Sequence, residues 1–443
     1  MFTKGNKIVL LVLCLMLVML SLSACGPKRD NANGGEQPAN SPAASEQTAA
    51  PTDNAEASAM PEKPQELAIW ADTAEDKLAV LNELTKKYTE KTGIPVKITP
   101  IAMNDQPKTL TLDGPAGKGP DLFYQPGIGK LALEGLVQPM NVPEDVLKTY
   151  TPESLSALSD GGKLYGLPFV VETYALFYNK DLVPTPPATI ADLEQIMKAQ
   201  TDKANDKYGF LFDATNFYFA WAFMGGNNGY IFKPNGNSFD INDIGLNKEG
   251  AVAGVKLIQD WFKQGYLPKG VNGDIAGGLF NQGKVGAIIN GPWAVSDSKK
   301  QLGDKFAVAP LPKLANGNVP QSFIGVKGWM LSKFSKNPEW ATDLAEFLTS
   351  ADSTLTYFKQ TGEIPPVLEV LSNPVLTNDP IVAGFSEQIK HGLPFPNVPE
   401  LDAVWDPMAN ALKFAAEGKD VQTVLDEAVK QVQEKIKMMG ASK

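Results

Sequence analysis

Glu66-Leu67-Ala68-Ile69-Trp70 is an apolar run of strand-forming residues, and the pattern after it decides the fold class. Leu78, Leu81, Leu84 and Tyr88 recur at helical spacing, Gly93 stops the pattern, and Val96 to Ile98 reads as a second strand. Strand, amphipathic helix and strand in succession form a βαβ unit. The alternation continues. Asp121 to Tyr124, Ala175 to Tyr178, Tyr208 to Phe212, Val285 to Ile289, Phe306 to Ala309 and Lys327 to Leu331 read as strands. Helices are predicted near 189–201, 248–263, 338–350, 401–417 and 420–437. Asn337-Pro338-Glu339 is a good helix start because proline suits the first helical position. The pattern predicts an α/β architecture with mostly parallel sheets. Its extent, about Gln65 to Lys443, suggests two domains or lobes.

Ahead of this region the composition changes. Lys4 and Lys7 precede an apolar run, Ile8 to Leu22, that ends in Leu22-Ser23-Ala24-Cys25-Gly26. So short a run, closed by small residues, reads as a signal peptide over 1–24. The Cys placed directly after those residues resembles a bacterial lipobox, which makes Cys25 the lipidated first residue of the mature chain. Stable anchoring then needs more than one acyl chain. The other cysteine, Cys14, lies in the signal peptide, so the mature domain has no disulfide and no thiol nucleophile. From 25 to 64 the chain has no aromatic residue, Val, Ile or Leu. Such a segment buries too little apolar surface to offset its ordering entropy. It reads as a disordered tether with a span of about 35 Å.

The formal net charge of -10 argues against nucleic acid and against a domain lying on an anionic membrane. Any membrane contact is expected through the N-terminal lipid alone. His391 is the only histidine, so a His-based triad or multi-His metal site has no residues to build it; a surface or helix-end position accounts for it. The loop Gly114-Pro115-Ala116-Gly117-Lys118-Gly119-Pro120 lacks the Lys-Ser/Thr ending of a phosphate-binding P-loop and precedes a strand rather than a helix. Carboxylates are plentiful, but no spacing singles out a glycosidase pair. No Gly-x-Ser-x-Gly elbow or His/Cys metal cluster is present.

More informative are aromatic residues beside turns: Phe217 to Trp221 before Gly225 to Tyr230, Asn290-Gly291-Pro292-Trp293, and Pro394 to Pro399 ahead of Trp405. Aromatic faces grip the apolar C–H face of a pyranose while polar groups bond its hydroxyls. Core packing is the better explanation for any one of these rings taken alone, so residues alone stop at an exported α/β binding domain.

Several stretches go further. They are Glu66 to Trp70, Glu90-Lys91-Thr92-Gly93-Ile94, Leu112 to Asp121, Tyr165-Gly166-Leu167-Pro168, Val171-Glu172-Thr173 with Phe177 to Leu182, Ile289 to Trp293, Phe323 to Gly328 and Pro396 to Pro399. Together they resemble the maltose- and maltodextrin-binding proteins of bacterial ABC importers, extracellular solute-binding proteins of Gram-positive lipoprotein type. The resemblance covers about 66–437. It implies a two-lobed periplasmic-binding-protein fold (type II) with a hinge and a ligand cleft. Lobe one would take 65–170 and 328–374, lobe two 175–322 and 380–443, with crossovers near 171–174, 323–327 and 375–379. It also implies a non-catalytic, monomeric receptor without a cofactor, on the outer face of the cell membrane, delivering an oligosaccharide of the maltodextrin class to permease subunits. The alternatives are cyclodextrin or another oligosaccharide, and, in a different class, a surface glycosidase.

Carried over position by position, Glu172 matches a cleft carboxylate, Tyr218 and Trp293 match ring-stacking aromatics, and Trp405 another near the cleft mouth. Asn216 stands where some members have a sugar-binding Glu. An Asp-Lys pair that bonds the first sugar falls within Asp72 to Lys77, leaving Asp72, Glu75, Asp76 and Lys77 as candidates. The run Gln125 to Lys130 departs from the family: a Trp and an Asp-Arg pair are missing, and Gln125 is its remaining polar candidate. Ala409 lies where some members carry an Arg.

Overall fold

The computed structural model describes residues 60–236 and 238–441. The signal peptide, Cys25 and all but the end of the expected tether lie outside the described residues. That end is already held: Trp340 Nε1 donates to the carbonyls of Pro61 and Glu62, and Lys63 Nζ donates to Thr92 O at 2.7 Å. Residues 61–63, ahead of the expected boundary at Gln65, are therefore docked on the fold through backbone carbonyls rather than through apolar side chains.

Among the described residues fourteen strands occur in order: β1 Leu67–Ala71, β2 Val96–Pro100, β3 Leu122–Gln125, β4 Ser159–Asp160, β5 Lys163–Leu164, β6 Gly166–Glu172, β7 Ala175–Asn179, β8 Tyr208–Leu211, β9 Phe232–Asn235, β10 Ser238–Ile244, β11 Val285–Asn290, β12 Phe306–Ala309, β13 Phe323–Leu331 and β14 Leu393–Pro394. One sheet runs β14-β13-β3-β1-β2, with β6 also paired to β13; a second runs β12-β7-β11-β8. Helices cover both. Glu75–Thr92 follows β1 and ends at Gly93 (φ 78°), a left-handed cap that glycine adopts without a Cβ clash. The strands of the sheet centres are buried on both faces, which explains their unbroken apolar runs.

The expectation of mostly parallel sheets needs correction. β1 lies parallel to β2 and β3, and β11 to β8. β13 runs antiparallel to β3 and β6, and β7 antiparallel to β11 and β12. β7 and β13 are the strands by which the chain enters one sheet from the other. β6 was not anticipated as a strand. Pro168 within it has no N–H to give a ladder, and it sits where the β6–β13 register shifts. Nor were the β9–β10 hairpin or the helices Phe217–Gly226, Gly273–Asn281, Val295–Leu302, Ala351–Thr361 and Pro380–Ile389.

The crossover near 171–174 is short, since β6 ends at Glu172 and β7 starts at Ala175. The crossover near 323–327 is no loop: it is the start of β13, paired with β14 on one side and β6 on the other. Strand pairing satisfies its backbone groups where the chain is buried. A buried polar node ties the two crossovers together. Thr173 Oγ1 donates to Ser322 Oγ at 2.8 Å, and Gln388 Nε2 donates to Pro320 O and Ser322 Oγ.

Candidate functional site

A cavity of about 2010 Å³ draws its walls from both sheets and from the segment 394–405. Asp72, Asp76, Lys77, Gln125, Glu172, Asn216, Tyr218, Trp293 and Trp405 all line it. Glu75 does not. It is exposed in the first turn of the helix Glu75–Thr92, and helical spacing turns it away from Asp76 and Lys77. Of the four candidates left open there, Glu75 is the one the structure removes.

Lys77, Glu172 and Lys327 line a charged floor of the cavity, and buried residues outside the lining hold it from behind. Lys77 Nζ contacts Glu363 Oε1 at 2.9 Å, and the hydroxyl of Tyr357 donates to Glu363 Oε2 at 2.9 Å. Both Lys77 and Glu363 are buried. Burial works against the charge on Lys77, but Glu363, then Glu172 and Asp72, outweigh it and hold its pKa above the ordinary lysine value. Further along the floor, Lys327 Nζ lies 2.5 Å from Glu172 Oε1. The two form a close, buried ion pair, and that oxygen has no other donor. Burial raises the pKa of Glu172; Lys327 opposes this and Glu363 adds to it. Sequence reasoning passed over Lys327 and Glu363. Lys327 was visible in the stretch Phe323 to Gly328, but nothing local marks Glu363, which is separated from Lys77 by 286 residues.

Another part of the lining is aromatic. Tyr218 lies in the all-apolar helix Phe217–Gly226, a helix buried on nearly every side. Its ring is offset-stacked on Phe323 and Phe395, with centroids 5.9 and 6.0 Å away, and its buried hydroxyl has no hydrogen-bond partner. Trp405 packs edge-on against Phe217 and Phe395. Trp293 follows β11 and is only partly buried. Its indole folds back over Gly291, where an added Cβ would sit 2.1 Å from ring carbon Cζ3. Phe395, which the sequence grouped only with its turn, completes the cluster.

Two polar candidates are committed elsewhere. Asn216 Oδ1 caps the helix Phe217–Gly226 by accepting from Tyr218 N at 3.0 Å, as an N-cap asparagine should. Gln125 Nε2 donates to Met103 O at 2.6 Å. Beyond it, Pro126, Gly127, Ile128 and Gly129 give the cavity a wall without a charged side chain until Lys130, which pairs with Asp402 at 3.1 Å. Among the described residues no group of three or more His, Cys, Asp or Glu side chains could hold a metal ion.

A cleft of this size, charged on its floor and aromatic on one side, suits a polyhydroxylated ligand with apolar faces. The family model of a bacterial extracellular solute-binding protein matches residues 83–384. The chain belongs to that family. It is 35% identical over 449 residues to a galactooligosaccharide-binding protein of Bacillus subtilis (strain 168), covering 99% of both chains. It is 33% identical to a maltooligosaccharide ABC transporter solute-binding lipoprotein of Streptococcus pneumoniae (strain ATCC BAA-255 / R6), covering 84% of this chain and 89% of that one. Among solved structures it resembles a cyclo/maltodextrin-binding protein complexed with maltotetraose. The TM-score is 0.74 and the identity 43%, over 85% of this chain and 98% of that one. The fold is therefore the two-lobed, type II architecture of these solute-binding proteins, and the cavity is its inter-lobe cleft.

Proposed function

We propose that this solute-binding protein captures a maltodextrin and presents it to the permease of an ABC importer, without chemical change to the sugar. The observation that carries this reading is the pairing of a charged floor with the aromatic wall of Trp293, Tyr218, Phe395 and Trp405 in one cleft. Asp72, Asp76, Lys77 and Glu172 would bond hydroxyls, and Trp293 and Trp405 would support ring faces. Gln125 and Asn216 would act through neighbours. The lobes would comprise 65–170 with 328–374, and 175–322 with 380–443, closing about the crossovers. Cys25 would carry the lipid that holds a monomeric receptor at the outer face of the cell membrane; that the pneumococcal relative is named a lipoprotein supports the anchor.

A second reading has specific support. The relative that matches along 99% of the chain is named for galactooligosaccharides, and the wall at Pro126 to Gly129 carries no acidic group. A calorimetric panel of maltotriose, maltohexaose, cyclodextrin and a β-galactotriose separates the two. Binding of α-glucans alone upholds the first, binding of the galactoside alone replaces it with the second, and no binding to any glycan sinks both. Maltohexaose recovered intact after incubation supports a purely binding role, whereas shorter products would point to a hydrolase. Fatty-acid labelling of the expressed precursor, lost in Cys25→Ala, tests the anchor.

A further inference from the structure

Lys327 and Glu172 stand on neighbouring antiparallel strands. Glu172 is opposite Gly325 and Lys327 opposite Val170, so the two are diagonal neighbours on one sheet face. Gly325 leaves space beside Glu172: a Cβ there would press on the Phe395 ring at 3.2 Å. Both charged residues are more than nine-tenths buried, and both line the cleft.

Their bonding capacity is incomplete. A lysine ammonium has three donors and an ionised carboxylate only accepts. Among the described residues the one polar partner of Lys327 Nζ is Glu172 Oε1, so two of its three donors are unused; it lies 5.9 Å from the Trp293 ring centroid. Glu172 Oε1 meets no donor other than Lys327. Buried polar groups left this way are costly unless a further partner completes them. Trp293 stands next to the pair, so that partner would rest against an aromatic face.

We propose that Lys327 is a ligand-binding residue which, with Glu172, clamps two adjacent hydroxyls of a neutral pyranose resting against Trp293. The proposal builds on the sugar-receptor reading above. Lys327 donates to one hydroxyl oxygen, and the neighbouring hydroxyl donates to Glu172 Oε1. Neutrality comes from the surroundings. Lys77 and Lys327 are matched by Glu363 and Glu172, with Asp72 and Asp76 also on the cleft. No surplus cation remains to recruit a carboxylate or phosphate, so uronates and sugar phosphates are selected against.

Glu172→Gln and the double variant Glu172→Gln/Lys327→Met make the test, since the double variant leaves no lone buried charge at this pair and is expected to retain the fold, which circular dichroism checks. Maltotriose and a β-galactotriose are titrated calorimetrically into each. The double variant is expected to bind about tenfold or more weakly than Glu172→Gln. A difference within twofold, with wild-type protein binding normally, overturns the clamp and leaves the receptor reading intact. No binding of either sugar to wild-type protein removes both. Maltotriuronate binding as tightly as maltotriose would also overturn the clamp.

Discussion

The floor and the aromatic wall of the cleft are built in opposite ways. The floor is made of ions that hold one another. Lys77, Glu172 and Lys327 come from a helix and two strands, Glu363 supports Lys77 from a buried loop behind the lining, and each charge is tolerated because another lies beside it. The wall is made of rings that pack. Tyr218, Phe395 and Trp405 pack by offset and edge contacts around the buried Phe323, and Trp293 leans on a glycine. Removing one ion leaves its partner stranded in low dielectric, whereas removing one ring leaves neighbours that still touch. Damage to the floor should therefore appear first as lost stability, and damage to the wall as lost affinity.

The largest effect is expected from Glu363→Ala. It strands the buried Lys77 ammonium, a change that costs about 3–5 kcal/mol. Urea unfolding measures it, and a neutral result would mean that Glu363 does not hold the floor together. Next comes Trp293→Ala, which should weaken sugar binding by about 2 kcal/mol, roughly 30-fold, while moving the thermal midpoint little because the ring is only partly buried. Gly291→Ala should weaken binding in the same direction by less. Its backbone (φ -119°, ψ -179°) accepts alanine, and only the Trp293 ring has to move. A large stability loss without an affinity loss in either variant would erase the contrast between floor and wall.

A smaller effect concerns pH. The raised pKa of Glu172 means that the folded state disfavours its ionised form. Its contribution favours folding below the ordinary carboxylate value of 4.5 and is lost as pH rises through the higher folded value. The stability of wild-type protein relative to Glu172→Gln should decline with rising pH across a midpoint above 4.5, as chemical denaturation at a series of pH values would read. A midpoint below 4.5 would reverse the assignment. The smallest effect is expected at Lys130. Its pair with Asp402 is about half exposed on both sides, so Lys130→Ala should change stability by under about 1 kcal/mol.

Much of the fold was legible. Helical spacing at Leu78, Leu81, Leu84 and Tyr88, with the stop at Gly93, marked the first helix within a few residues. Phe306–Ala309 and Pro338–Leu348 were marked as closely. The elements that escaped did so for physical causes. Phe217–Gly226 is apolar around its whole circumference, so no period of 3.6 appears in it. Pro168 masked β6, and strand direction is set by crossovers that no local pattern encodes. For the cleft, quoted motifs led to Lys77, Glu172, Trp293 and Trp405 near its walls. They also led to Glu75, which helix geometry points away, and to Asn216 and Gln125, whose amides serve a helix cap and a backbone carbonyl.

The sequence by itself determined the α/β alternation, the acidic chain without a histidine cluster, and the stretches that mark the family, because period, composition and motif are local properties. Only the tertiary structure decided which charges meet. Glu363 reaches Lys77 across 286 residues, and Lys327 reaches Glu172 through a strand register carrying a bulge. Burial makes those pairs energetically decisive, and burial exists only once the two sheets and the crossovers between them are in place.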